Sequence, residues 1–420
     1  MKILFIAPYV PSPIRVRPYN FIRALIRRGH DITLACAADM DHPADAEAVA
    51  ALRDIGVRVE PVRISRASML RNVLRALPGE LPLQAALTFD AAFLQRVRDL
   101  AQRQHFDVAH IEHLRGSGLG YAVQNIPVVL DSVDSIALLF ERTLRGSASL
   151  KSRLIAFSDL ARTRRYEAEY FRHYNHVIVS SPEDAWALRV LGQHYTKQTA
   201  DTYTNTMTVV ANGVDLEYFT PQIVERNPNT IVFSGKMGYH ANEAAALFLV
   251  QEIMPWVWQQ RPEVQVTIVG SSPPASIVTL AKDPRIHVTG YVPDLRPYLA
   301  SASLAACPLR YGVGIQNKVL EAMAMATPVV AARQVAQALQ AVDGRDVLLA
   351  TQPEEYAASI LKLLGDRQYA QVLGHSGRQY VEEHHNWDKA AERLEYIYRW
   401  LRVASVSESD VDRLLLAALP

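Results

Sequence analysis

The stretch LAACPLRYGVGIQNKVLEAMAMATPVV, from Leu304 to Val330, decides the fold. It reads as a buried strand, a loop carrying Gly312 and Gly314, a mostly apolar helix, and a second strand opening at Pro328. A glycine loop that feeds a helix N-terminus is a ready anion site, because free backbone N–H groups point outward and the helix dipole favours negative charge. Lys318 lies in the first turn of this helix, and Glu321 follows at i+3, so both reach the same face. The other positions, Val319, Leu320, Ala322, Met323 and Ala324, are apolar. A helix this apolar belongs inside a protein, and a buried carboxylate needs partners. Two readings follow. The hydroxyls of a ribose partner Glu321 while a diphosphate sits at the loop, or Lys318 and Glu321 form an ordinary surface ion pair.

Outward from this segment the chain alternates strands and helices. Strand KILFIAP is followed by a helix from about Tyr19 to Arg28 and by strand DITLACA. Further strands are expected near Val57–Val62, Val108–Ile111, Val128–Leu130 and Val177–Ser180, with a long charged helix over Leu150–Tyr174. A second cycle begins at Ile231: strand IVFSG, a helix over Glu243–Gln260, and strands VQVTIVG and IHVTGYV. Strands alternating with helices imply a parallel, doubly wound sheet, and continuous apolar runs such as VVL and VIV suit strands buried on both faces. Two such cycles predict an α/β protein with two Rossmann-like domains. We expect an N-terminal domain over 1–212, a linker over 213–229 where Pro221 and Pro228 lie among polar residues, a second domain over 230–390, and closing helices over 391–420.

Length and composition agree with this layout. A chain of 420 residues exceeds one ordinary core. Hydrophobic content of 49% and charged content of 21% are those of a globular enzyme. The net charge of +1 gives no signal for nucleic acid. No apolar run reaches the ~18 residues of a membrane span, and the start, MKILFIAPYVPSP, reads as a first strand rather than a secretory leader. Cys36 and Cys307 have no metal-type spacing and read as small buried hydrophobes. A cytoplasmic location is expected. Residues 61–79 hold four arginines and no acid among apolar Met69, Leu70, Val73, Leu74 and Leu77. Such a helix either packs on the core with a solvated basic face or lies on an anionic membrane, which would make a peripheral contact with the inner membrane.

The run NKVLEAMAMATPVV resembles the donor-site signature of glycosyltransferase family 4, the group 1 transferases, in its exopolysaccharide-associated form. The openings MKILFIAP and FIRALIRRGHDITL, the element NGVDLEYFTP, the segment VPDLRPYLASASLAACPL and the closing GRQYVEEHHNWDKAAERLEYIY are similar to the family's landmarks in the same order. The resemblance implies the GT-B fold, two Rossmann-like domains facing a cleft, with the last helix crossing back to the first. It implies a retaining, metal-independent hexosyl transfer from a UDP- or GDP-sugar to a glycan or lipid-linked acceptor in cell-surface polysaccharide synthesis, with no further cofactor. A nucleotide-sugar epimerase of the same fold, or a non-catalytic relic that keeps the nucleotide site, are the alternatives.

Residue by residue, the family's ribose-binding carboxylate falls on Glu321. The family's first motif Glu falls at position 313, where this chain has Val313. Lys236, after Gly235 at the end of the second domain's first strand, falls where the family has a basic residue holding the diphosphate. The second basic position of the family is Ala241 here, which shifts the burden to Lys318 and Arg310. Gly290 and Val292 occupy the loop where members hold the base by main-chain contacts. In the first domain the cluster His110, Glu112 and His113 lies at a strand end, where ligands of open α/β sheets bind. Glu112 and His113 are the candidates to touch the acceptor or its leaving proton. Asp131 and Asp134 follow another strand, one of them as a helix N-cap. Arg15, Arg17 and Asp134 are the acceptor-side candidates, with the arginines either meeting an anionic acceptor or simply solvated.

Overall fold

The computed structural model describes residues 1–146, 149–197, 206–311 and 316–404, apart from the side chains of 336–338 and 404. The chain divides into two compact units. Unit 1 holds Met1–Leu138, Ser158–Ala211 and the chain from Trp387 onward, and unit 2 holds Leu139–Phe157 and Asn212–Asn386.

Unit 1 is built on a seven-stranded parallel sheet: β1 (Lys2–Ala7), β2 (Asp31–Ala37), β3 (Arg58–Val62), β4 (Val108–Glu112), β5 (Val128–Val133), β6 (His176–Val179) and β7 (Met207–Val209), in the order β3-β2-β1-β4-β5-β6-β7. Unit 2 has a six-stranded parallel sheet: β8 (Asn227–Ser234), β9 (Gln265–Val269), β10 (Ile286–Gly290), β11 (Ala302–Cys307), β12 (Val329–Ala332) and β13 (Leu348–Ala350), in the order β10-β9-β8-β11-β12-β13. Both are Rossmann-like. Among the helices are α1 (Val16–Arg27), α2 (Arg66–Ala76), α3 (Ile136–Gly146), α4 (Leu150–Ala168), α5 (His240–Phe248), α6 (Asn317–Ala324) and α7 (Trp387–Ala404).

The strands are apolar because both faces are covered. Ile3, Leu4, Phe5, Ile6 and Ala7 of β1 are all fully buried. Cys36 and Cys307 are buried, unpaired strand residues, whose thiols burial pushes up to about 12. The core of unit 1 draws on both ends of the chain: Phe5, Phe21, Leu25 and Ile32 pack with Trp387, Leu394, Ile397 and Tyr398 of α7. The ring of Trp387 meets Phe21 edge-on at 5.3 Å, and Arg28 pairs with Glu395 at 2.7 Å.

Three elements depart from the sequence expectation. The helix expected over Leu150–Tyr174 ends at Ala168, and a separate short helix covers Tyr170–His173. The helix expected over Glu243–Gln260 is two helices joined by a π turn at Leu249–Ile253. Pro255 sits in the first turn of the second piece and has no N–H to continue the ladder. The helix expected from Tyr19 begins at Val16, since Pro18 in its first turn removes only a donor that has no acceptor there.

Candidate donor site and the first-unit strand ends

In unit 2 the strand order reverses between β8 and β11, and the carboxyl ends of strands at such a reversal form a ligand crevice. Gly235 follows β8 at φ +148° and Gly270 follows β9 at φ +151°, both outside the range of ordinary L side chains. Gly235 N–H donates to Val269 O at 3.0 Å, and Gly270 N–H to Gly290 O at 3.1 Å. A Cβ on Gly270 would lie 1.7 Å from Gly235 O, and one on Gly235 would lie 2.8 Å from Asn242 Nδ2. Backbone thus packs on backbone here. Gly290, at φ +70°, closes β10 with open space beside it, and Val292 follows it, half-buried.

Helix α6 aims its N-terminus at the same strand ends. Its far end is pinned by two arginines: Arg226 donates to Met325 O at 3.1 Å and Ala326 O at 3.0 Å, and Arg378 donates to Ala324 O at 2.7 Å. Cations on the last carbonyls satisfy them and complement the dipole. Lys318 is 8% exposed. Its ammonium donates to Asn242 Oδ1 and lies 5.2 Å over the Phe233 ring. Burial lowers its pKa, opposed by Cys307 and Glu321. Asn242, on α5, in turn donates to Lys236 O at 3.0 Å.

Glu321 is half-buried, and burial pushes its carboxyl up to about 7 against the pull of Lys318. Among the described residues nothing hydrogen-bonds to this carboxyl, and no ion pair joins it to Lys318. The surface ion pair that the spacing allowed is therefore replaced by a buried lysine turned to Asn242 and a carboxylate left without a protein partner.

The other donor-side candidates are placed as follows. Lys236 is exposed on the loop after Gly235. Arg310 pairs with Glu252 at 2.9 Å and lies 5.0 Å over the Phe248 ring, so its charge is already engaged there. Gly312 and Gly314, with Val313, lie outside the described residues. The sequence reading missed Asn242 and Gly270. It also missed His240, whose Nδ1 lies 2.9 Å from Tyr311 Oη with the two rings stacked. No local motif marks these residues, because long-range packing alone brings them here.

In unit 1 the reversal lies between β1 and β4. Glu112 ends β4, 1% exposed, and Tyr9 Oη donates to its Oε1 at 3.1 Å. Burial and then Asp131 hold the Glu112 carboxyl well above the usual range. His113 follows at φ +64° and accepts from Arg115 N–H at 3.2 Å. Burial, Arg115 and Arg15 bring its pKa down to about 3, so its ring is neutral. Val133 stands at φ +66°, a strained setting for a β-branched side chain. Strained residues at two adjacent strand ends are the pattern of a functional edge. Arg15 is exposed and lies 4.3 Å over the Tyr9 ring.

Arg17 corrects the sequence reading. It is neither solvated nor open to an acceptor. At 5% exposure it clasps Asp131 through Nε (2.7 Å) and Nη2 (3.0 Å) and donates to Val210 O at 2.9 Å. Asp131 accordingly is no helix cap, and Asp134 accepts from Ser180 Oγ at 3.0 Å. The N-terminus of α3 is met instead by Glu167 of α4, which accepts from Ile136 N–H at 2.6 Å and from Ser135 Oγ at 2.9 Å. His110 is stacked on Phe5 and bonded to Tyr398 Oη at 2.7 Å. His110, Glu112 and Asp131 offer ligand atoms within 4.8 Å of one another. His110 and Glu112 share a strand face at i, i+2, while the guanidinium of Arg17 already occupies the Asp131 carboxylate.

Comparison with known proteins matches the two halves separately. Residues 14–199 match the family model described as a glycosyl transferase 4-like domain, and residues 228–366 match glycosyl transferases group 1. The D-inositol 3-phosphate glycosyltransferase of Corynebacterium diphtheriae is 24% identical over 417 residues, covering 90% of this chain and 87% of that one. Among solved structures, HepE of Anabaena in complex with UDP is similar at TM-score 0.64 and 16% identity, covering 94% of this chain and 99% of that chain. The sucrose-phosphate synthase of Thermosynechococcus elongatus is similar at TM-score 0.69 and 17% identity, covering 96% and 100%. These likenesses give the fold, GT-B.

Proposed function

The chain belongs to the group 1 glycosyltransferases, and from that premise we propose that it is a retaining, metal-independent hexosyltransferase of cell-surface polysaccharide synthesis. The donor is a UDP- or GDP-sugar, and the acceptor a glycan or a lipid-linked glycan. One observation carries this reading: the half-buried Glu321 carboxylate, without a partner among the described residues, next to buried Lys318 at glycine-lined strand ends. Ribose hydroxyls supply the missing donors to Glu321. Gly235 and Gly270 let the ends of β8 and β9 pack tightly against Asn242 and Lys318, the diphosphate sits beside Lys318, and Gly290 and Val292 offer main-chain contact to the base. That HepE has been solved with UDP, and with UDP-glucose, supports a nucleotide-sugar as the donor.

Transfer builds negative charge on the departing diphosphate. Fixed cations and N–H groups that need no reorganisation stabilise it best. Lys318, held by Asn242, and Lys236 at the loop fill that role, with the N-terminus of α6 behind them. Glu112 and neutral His113, at the strand ends of unit 1, take the acceptor side. Glu112 holds its proton more tightly than an ordinary carboxylate and so is matched to proton exchange with a hydroxyl. No described helix is long and apolar enough to cross a membrane.

The test is a donor panel of UDP- and GDP-sugars incubated with membrane-extracted acceptors in the presence of EDTA. Product formed with retained anomeric configuration is the expected result. Complete loss of activity on chelation, restored by Mn²⁺, overturns the metal-independent mechanism. Conversion of the UDP-sugar to its epimer with no acceptor present turns the reading to an epimerase.

A further inference from the structure

Helix α2 carries an unpartnered stripe. Leu70, Leu74 and Leu77 are 61%, 56% and 46% exposed, and they fall at i, i+4 and i+7 on one face. Arg66 borders this stripe on one side, and Arg71 and Arg75 border it on the other. Between Pro61 and Gly79 there are four arginines and no acid. Of these, Arg63 is paired with Asp41 at 2.8 Å. The opposite face is the packed one: Ala76 is buried and Met69 and Val73 are half-buried. A solvated basic face would place polar residues between the arginines, and here leucines stand there. The same arrangement recurs in the first turns of α4, where Leu150, Leu154 and Phe157 are 73%, 67% and 76% exposed between Lys151 and Arg153.

Behind the arginines of α2 lies a cavity of about 620 Å³, onto which Arg71, Asn72, Arg75 and Phe89 open. Asn72 Nδ2 is buried there with no partner among the described residues. Two acids also line the cavity, and both are occupied. Glu80 pairs with Arg165 at 3.0 Å, and Asp90 accepts from Ala92 N–H at 2.9 Å. Two guanidinium groups and an unused amide N–H make a setting for phosphate, one side chain away from the apolar stripe.

We propose that α2 docks unit 1 onto a bilayer of anionic phospholipid. The three leucines enter the headgroup and acyl boundary, Arg66, Arg71 and Arg75 lie among the phosphates, and the cavity takes one headgroup. Apolar side chains flanked on both sides by cations fit an anionic lipid surface, where the leucines reach the acyl boundary and the arginines the phosphates. The inference stands on α2 itself and does not depend on the glycosyl-transfer reading.

The test is sedimentation of the full chain with phosphatidylcholine vesicles, with and without phosphatidylglycerol. Binding is expected only to the anionic vesicles. Loss of two arginines near the surface, in Arg71→Ala with Arg75→Ala, should weaken partitioning roughly thirtyfold, and Leu70→Asp with Leu74→Asp should abolish it. UDP affinity and thermal unfolding should stay at wild-type values in both. A second measurement uses Leu70→Cys carrying an environment-sensitive dye, with Cys36 and Cys307 buried from the reagent; a blue shift on adding anionic vesicles is expected. Equal binding to neutral vesicles, unchanged binding by the variants, or an unshifted dye overturns the proposal. So does capture of glycerol phosphate at Arg71 and Arg75 without vesicle binding, which would make the face a site for a soluble phosphate.

Discussion

Removing the Glu321 carboxylate should weaken nucleotide binding and at the same time strengthen the free protein. In the free chain this group is half-buried, has no hydrogen-bond donor among the described residues, and is pushed up to about 7 from its ordinary 4.5. Its folded-state value is raised, so between those two pH values the folded protein holds the proton more often than the unfolded chain does. Stability therefore falls as pH rises through that window, and the full cost stands above pH 7. A difference of this size amounts to at most about 3 kcal/mol, and less because the residue keeps some solvent access. Glu321→Ala removes that cost and should raise the midpoint of denaturant unfolding at pH 8. When UDP or GDP binds, its ribose hydroxyls donate to the ionised carboxylate. A hydrogen bond to a charged group contributes about 1.5–3 kcal/mol, so the variant should bind about tenfold to 150-fold more weakly. Binding by the wild type should tighten as pH rises toward 7 and then level off, because the ionised form is the one that binds. Glu321→Gln should flatten that profile. Isothermal calorimetry with UDP and GDP across this range is the assay. Wild-type affinity in a folded Glu321→Ala protein, or a pH profile unchanged by Glu321→Gln, would refute the ribose assignment.

Other substitutions probe the neighbouring groups. Lys318→Ala should cut turnover by ~10²–10³, the usual loss for one fixed donor to a developing charge; near-wild-type turnover would leave the lysine as a prop for Asn242. Lys236→Ala should act in the same direction, and if the two lysines share one phosphate the double variant should lose less than the product of the single losses. Arg17→Ala strands Asp131 in a buried setting and should cost about 3–5 kcal/mol in denaturant unfolding; a loss under about 1 kcal/mol would show that the pair is dispensable. Gly270→Ala should collapse the thermal midpoint and abolish UDP binding, since its Cβ would overlap Gly235 O at 1.7 Å. Gly290→Ala has open space and should cost only the left-handed penalty of about 1–2 kcal/mol; equal effects at the two glycines would disprove the steric argument.

The parallel sheets were legible because strands buried on both faces are written as unbroken apolar runs, as in Val128–Leu130 of β5 or Ile3–Ala7 of β1. Strands β7 and β13 were not, since three residues apiece carry no period. At the donor site, Lys318 and Glu321 stood out because charge is rare in an apolar helix. Asn242 and Gly270 stayed hidden. An asparagine in a helix and a glycine after a strand are ordinary in one dimension, and only the approach of β8 to β9 and of α5 to α6 gives them a purpose. Arg17 was misread for a related reason: its partner Asp131 lies 114 positions away, and a loop arginine next to Arg15 has no local mark of burial.

The return of α7 to unit 1 sets an order of events during synthesis. Residues up to Ala211 leave the ribosome long before Trp387 does. At 5–20 residues per second the interval is on the order of ten to thirty seconds. Throughout it the first sheet lacks Trp387, Leu394 and Tyr398, so Phe21 and His110 have no cover from their final neighbours. Unit 2 can close on its own sequence, because its strands β8 to β13 are contiguous. The half that begins the chain is therefore the half that finishes folding last. During that wait the nascent protein presents an apolar surface to whatever chaperone is nearest.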